Sequence, residues 1–98
     1  MKFYAKVYKE GKDILVACCD DDIKGKTFEE GELVLHVKES FYCGELLEGP
    51  ELCSLIEKAT VVNMVGKRTV KLAVKAGLID EKNVLKVKRV PHAQMVRM

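Results

Sequence analysis

The sequence predicts an α+β fold: a single small domain over residues 1–98, with a mainly antiparallel or mixed sheet and two helices packed on one face. Three observations predict it. Short apolar or alternating runs bounded by Gly and Asp lie toward both ends of the chain. Two stretches with helical apolar spacing stand together between them. The order is therefore β-β-β-(β)-α-α-β-β, with the helices in one block rather than alternating as in βαβ units.

Phe3-Tyr4-Ala5-Lys6-Val7-Tyr8 alternates as a half-buried strand does, and Ile14-Leu15-Val16-Ala17-Cys18 is a continuous apolar run suited to a more central strand. Glu10-Gly11-Lys12-Asp13 joins them as a turn, since Gly tolerates positive φ. Asp20-Asp21-Asp22 ends the second strand, and Ile23 to Gly31 reads as a charged connection. Gly25 and Gly31 flank lysines without the Gly-Lys-Ser/Thr ending of a phosphate loop. The three aspartates lack the spacing and distal Glu of an EF-hand. Glu32–Lys38 is a third strand, with Leu33, Leu35 and Val37 on one face and His36 on the other. Phe41-Tyr42-Cys43-Gly44 is a short extended piece or turn.

Gly49-Pro50-Glu51 starts a helix, because Pro fits its first position and an acid favours its first turn. Leu52, Leu55, Ile56 and Ala59 form its buried face, to about Thr60. A second helix is predicted from Asn63, as N-cap, to Gly77, with Val65, Thr69, Leu72, Ala73 and Ala76 inward. Asn83–Lys88 forms another strand, Pro91 interrupts it, and Ala93–Met98 closes the chain as a last strand.

Composition narrows the functions. No run approaches the ~18–20 apolar residues that span a bilayer, and the N-terminus carries no secretory apolar region. A cytoplasmic protein without membrane contact is expected. A chain this short has little interior to hollow into a deep active site. Net charge is only +2, but it is divided unevenly. Residues 1–50 carry 7 Lys against 11 Asp/Glu, whereas residues 51–98 carry 10 Lys/Arg against 4 Asp/Glu. Such a division is either a surface that balances after folding or a basic face for a polyanion.

The predicted second helix concentrates the excess. Lys67, Lys71 and Lys75 recur at i, i+4 and i+8 beside Arg68, with no acid among them. Like charges at i, i+4 destabilise a helix by roughly 0.2–0.5 kcal/mol per pair. Lys67 and Arg68 also sit where the helix dipole favours anions. The stripe points to an anionic partner, RNA or DNA phosphate first. Lys26 adds a basic loop position, and Tyr42 an aromatic surface on which a base could stack. Asn63 with Gly66 provides a place of close backbone approach. His92 and Gln94, period-2 neighbours after Pro91, point the same way and can bond a base edge or phosphate.

The chemistry for catalysis is thin: Cys19 and His92 would form a thiolate–imidazolium pair only if folding joined them. No cofactor and no metal are expected, since Cys18, Cys19, Cys43 and Cys53 form no Cys-x-x-Cys pair. A mixed site of Cys43, Cys53, His36 and His92 would require those four to converge in space.

Cys19-Asp20, Gly25-Lys26 with Phe28 and Gly31, Phe41-Tyr42 with Gly44, Asn63 with Gly66, Gly77-Leu78 and Val90-Pro91-His92-Ala93-Gln94 together resemble a family of small archaeal proteins, domain of unknown function 424. The similarity runs in order over nearly the whole chain, and Pro-His-Ala-Gln is its most specific part. Cys43 stands where that family has Gly, and Cys18 where it usually has Ala, so both thiols look peculiar to this chain. The resemblance implies an archaeal cytosolic protein and no established activity or cofactor.

The functional expectation is a small RNA-binding module associated with translation, holding phosphates through Lys26, Lys67, Arg68, Lys71 and Lys75. Tyr42, Asn63, His92 and Gln94 would stand nearby for base or sugar. The link to translation is an expectation about archaeal housekeeping proteins, not a property of these residues. The alternatives are a protein-interaction subunit of an archaeal complex, using an exposed sheet edge or the acidic N-terminal half, and a small enzyme built on Cys19 and His92; the expectation leans away from an enzyme.

Overall fold

In the structure, a computed structural model that describes residues 2–97, a six-stranded mixed sheet separates two unlike layers. The strands are β1 (Lys2–Glu10), β2 (Asp13–Asp20), β5 (Glu45–Glu48), β6 (Val61–Val65), β7 (Val84–Val87) and β8 (Val90–Val96), in the order β5-β1-β2-β6-β8-β7. All neighbours are antiparallel except β2 and β6, which run parallel, with Cys18 beside Met64. The remaining strands, β3 (Thr27–Glu30) and β4 (Leu33–His36), form a separate hairpin.

Alternation along the strands creates two cores. On one face Phe3, Ala5, Val16, Cys18, Val62, Met64 and Ala93 meet α2 (Gly49–Lys58) and α3 (Lys67–Lys75). This is the expected pair of helices on one side. The other face was unassigned by sequence. There Ala17, Cys19, Val65 and Val87 are covered by the β3–β4 hairpin and by α1 (Glu39–Tyr42), through Leu35, Val37 and Tyr42. The result is a three-layer α+β domain.

The N-terminal hairpin forms as read. α2 begins at Gly49 with Pro50 in its first turn and a capping box between Glu48 and Glu51, and it buries Leu52 and Ile56. Four expectations are corrected. Residues 61–65 are a strand, so Asn63 caps no helix and Val65 belongs to the sheet. Val61 and Val62 are β-branched, and the chain turns into the helix only at Gly66, whose φ of 117° excludes ordinary side chains. The connection at residues 27–30 is β3, hidden in sequence because three of its four residues are exposed. Phe41-Tyr42 lies in one turn of helix, followed by the short strand β5.

Pro91 does not break the last strand. The interruption comes at Lys88 and Arg89, both at positive φ as a two-residue β-turn of this hand requires. Pro91 sits beyond the end of the β6 ladder, where no donor is needed, and its carbonyl accepts from Gly66 N–H at 2.9 Å. Of the predicted last strand, Met98 lies outside the described residues.

Candidate nucleic-acid interface

The start of α3 is built by Asp20 at the end of β2, 48 residues before Arg68 and 49 before Thr69. A helix leaves its first N–H groups unpaired, and Gly66 supplies no side chain to cap them. The buried Asp20 carboxylate does so instead. It accepts from Arg68 N–H at 3.1 Å, Thr69 N–H at 2.8 Å and the Thr69 hydroxyl at 2.7 Å. A negative charge there also complements the helix dipole. Gly66 is required for this approach, because a Cβ would lie 2.4 Å from the Asp20 carboxyl carbon.

Arg68 belongs to the same closed cluster. Its guanidinium donates to Asp21, lies within 3.8 Å of Asp20 and Asp22, and stacks 5.5 Å from the Phe3 ring centre. Partial burial alone would lower its pKa, but the bond to Asp21 and the charges of Asp20, Asp21 and Asp22 hold it above its ordinary value. The arginine read as part of the basic stripe is thus engaged by the aspartates that end β2, where the sequence reading saw only the start of a charged connection. The dipole site read as free for a phosphate is filled by the chain's own carboxylate.

Along the flank of α3 the situation reverses. Lys67, Lys71 and Lys75 are exposed and rim a groove of about 440 Å³ between α3 and the β7–β8 hairpin. Val70, Val74, Val84 and Pro91 form its floor, and Lys86 of β7 completes the rim opposite the helix. Glu81 is the acid lining it. None of the four lysines has an ion pair among the described residues. Successive α3 lysines are about 6 Å apart along the helix axis. Lys86 was missed by sequence reading, although the alternation Lys86-Val87-Lys88 placed it on an outward strand face.

The other candidates lie across the sheet. The Tyr42 hydroxyl donates to Asn63 Oδ1 at 2.6 Å, and His92 Nε2 approaches the same oxygen at 3.1 Å. An amide oxygen only accepts, so the neutral His92 ring carries its proton on Nε2. Burial lowers the His92 pKa from its ordinary 6.5. Burial, with the Cys19 and Cys18 thiols secondary, pushes the Tyr42 phenol up to about 12. Gln94 pairs with Asn63 in the ladder and is exposed on the same face as His92. Lys26 is exposed at the base of the β3–β4 hairpin, where its backbone bonds Ile23 and Val37. The nine residues expected at one interface therefore divide: Lys67, Lys71 and Lys75 on the helical side, Arg68 in the acidic cluster, and Lys26, Tyr42, Asn63, His92 and Gln94 on the hairpin side.

The enzymatic pair does not form. Cys19 and His92 both lie opposite Val65, on its two sides, and His92 is bonded to Asn63. Burial first, and then the adjoining Cys43 and Cys18 thiols, drive the Cys19 pKa far upward, away from the thiolate form that a nucleophile needs. Nor do Cys43, Cys53, His36 and His92 converge, since Cys53 lies on α2 across the sheet and His36 is exposed on β4. Among the described residues no cluster of three His, Cys, Asp or Glu could hold a metal ion. All four cysteines are free. Among the described residues no helix is long and apolar enough to cross a membrane.

Among the described residues, fold and surface define a small three-layer α+β protein with a basic groove whose lysines have no ion pair. More specifically, the chain belongs to the family described as protein of unknown function (DUF424), whose model matches residues 8–98. Its fold is that of an uncharacterized conserved protein from Methanopyrus kandleri, known from a crystal structure. That protein is 23% identical, with a TM-score of 0.80 over 100% of this chain and 95% of the other. No functionally curated protein matches.

Proposed function

We propose that this chain is a small cytoplasmic RNA-binding module that holds phosphates in the groove between α3 and β7–β8. One observation carries the reading: Lys67, Lys71, Lys75 and Lys86 converge on one groove without a carboxylate partner among the described residues. Packing alone would not select that arrangement, because each like-charged i, i+4 pair costs roughly 0.2–0.5 kcal/mol on a helix. Arg68 on the same helix is neutralised by three aspartates, so the chain does supply acids where a cation is structural.

A groove of about 440 Å³ suits a single strand or the backbone of a loop rather than an enclosed duplex. Its apolar floor lies below the phosphates and offers packing to sugar or base. Four free cysteines accord with a reducing compartment.

Binding through about four phosphate contacts to single-stranded RNA gives a log–log salt slope near −3, or about a fiftyfold loss between 50 and 200 mM salt. Fluorescence anisotropy with labelled single-stranded and hairpin RNA, and DNA of the same sequence as competitor, measures this. Absence of binding at the lower salt, or binding indifferent to salt, overturns the proposal. The narrower part, association with translation, predicts nuclease-sensitive cosedimentation with ribosomal particles, and its absence removes that part alone.

A further inference from the structure

The basic groove beside α3 opens at one end onto the turn between β7 and β8. Lys86 and Pro91 line the groove and face each other across the β7–β8 ladder. One pair further on, Val87 and Val90 close the hairpin around a two-residue turn, Lys88-Arg89. Lys67, the first residue of α3, is held at this same end, because the Gly66 N–H before it donates to the Pro91 carbonyl. The groove therefore runs from Lys75 and Glu81 to Lys67 and Pro91, with the turn just beyond its second end.

Both turn side chains are exposed, and among the described residues neither has an ion pair. Glu30 of the β3–β4 hairpin reaches the turn, where its carboxylate accepts the Lys88 N–H at 2.9 Å. That bond and the burial of Val87 at the base of the hairpin hold the turn in place.

Stability alone would choose other residues here. Lys88 and Arg89 have φ of 51° and 67°. A β-carbon crowds the backbone at positive φ, so Asn-Gly serves a two-residue turn of this hand best. Two adjacent cations also repel each other. The chain thus keeps two long cationic side chains where backbone strain opposes them, beside a groove already rimmed by four lysines. Residues held against their intrinsic preference cluster at functional sites.

We infer, resting on the RNA reading above, that Lys88 and Arg89 form a second phosphate-binding element of the same site, holding the strand where it leaves the α3 groove. Lys88 supplies a point charge, and Arg89 a planar fork that bonds two oxygens of one phosphate. The ligand is then a single strand longer than the groove. Lys67 to Lys75 spans about 12 Å of helix axis. Reaching from Lys86 to Arg89 takes up to about 10 Å more. A strand of about four nucleotides ends within the groove, whereas one of about twelve passes over the turn.

Fluorescence anisotropy with single-stranded RNA of these two lengths, at 50 and 200 mM salt, separates groove from turn. Lys88→Asn with Arg89→Gly installs the residues the turn prefers, so that variant melts at or above the wild-type temperature. It binds the longer RNA about tenfold more weakly at low salt, with a log–log slope shallower by about 0.7 for each lost contact. Its affinity for the shorter RNA equals that of wild type. Lys88→Gln with Arg89→Gln, which keeps the original turn strain, shows the same loss on the longer RNA. Lys9→Gln with Lys12→Gln removes equal charge from the β1–β2 turn, at the far end of the sheet, and changes neither affinity. A wild-type chain that binds neither RNA removes the RNA reading and the turn assignment with it. If wild type binds the longer RNA and the two turn variants bind it equally well, the turn assignment alone is overturned. It also falls if the Lys9 and Lys12 variant loses as much, since general attraction to positive charge then accounts for the loss.

Discussion

The N-terminus of α3 and its flank, one turn apart on the same helix, treat positive charge in opposite ways. At the N-terminus, a buried carboxylate caps the backbone and three aspartates gather around Arg68. Along the flank, three lysines and Lys86 face one another across a groove with Glu81 at its edge. The first arrangement holds β2 against α3 and lies partly out of water. The second leaves repulsion uncompensated in the free protein. Charge that builds the fold is paired; charge left unpaired is available to something else.

The strongest way to break this comparison is at the closed end. Gly66→Ala forces a side chain onto a φ of 117° and into the Asp20 carboxylate. It should cost about 4 kcal/mol or prevent folding. Asp20→Ala strands the buried Thr69 N–H and hydroxyl and the part-buried Arg68 N–H, and should cost about 3 kcal/mol in urea unfolding. If either variant unfolds at the wild-type urea midpoint, the cap does not hold the helix.

The flank should answer in the opposite sense. Replacing Lys67, Lys71, Lys75 and Lys86 by Gln should reduce RNA affinity about fiftyfold at low salt and flatten the salt dependence. Stability should stay within about 0.5 kcal/mol of wild type, or rise slightly as repulsion is relieved. Arg68→Gln sharpens the contrast: about 1–2 kcal/mol of stability is lost while the salt slope stays. A variant that lost RNA binding through Arg68 alone would merge the two regions into one.

Smaller effects lie across the sheet. His92 titrates below its ordinary 6.5 when folded, so the unfolded chain takes up the proton first. Stability is therefore complete above that pH and declines as pH falls through and below it. His92→Gln should remove that part of the acid sensitivity in urea titrations run across this range. Tyr42→Phe removes one donor to Asn63 and should cost about 1 kcal/mol, with RNA affinity unchanged. A large loss of affinity would move the interface to the hairpin side.

The elements legible in sequence were those whose signal is local. α2 announced itself through Gly49-Pro50-Glu51 and its buried face, and the β1–β2 hairpin through Gly11. His92 and Gln94 sharing a face followed from strand periodicity. The start of α3 was not legible, since Asn63 has the chemistry of a cap and the true cap is Asp20, distant in sequence. β3 was invisible because a strand in an outlying hairpin need not alternate. Arg68 joined the lysine stripe on paper because helical spacing shows neighbours on the helix, not aspartates arriving from another strand. What remained of the site, Lys67, Lys71 and Lys75, was readable because their meaning depends on one helix alone.

The central claim is most directly tested by amide chemical-shift mapping during titration with a short single-stranded RNA. Shifts should cluster on Lys67–Lys75, Val84–Lys86 and Pro91-adjacent amides, and collapse at higher salt. Shifts centred instead on Tyr42, Asn63, His92 and Gln94, or none at all, would contradict it.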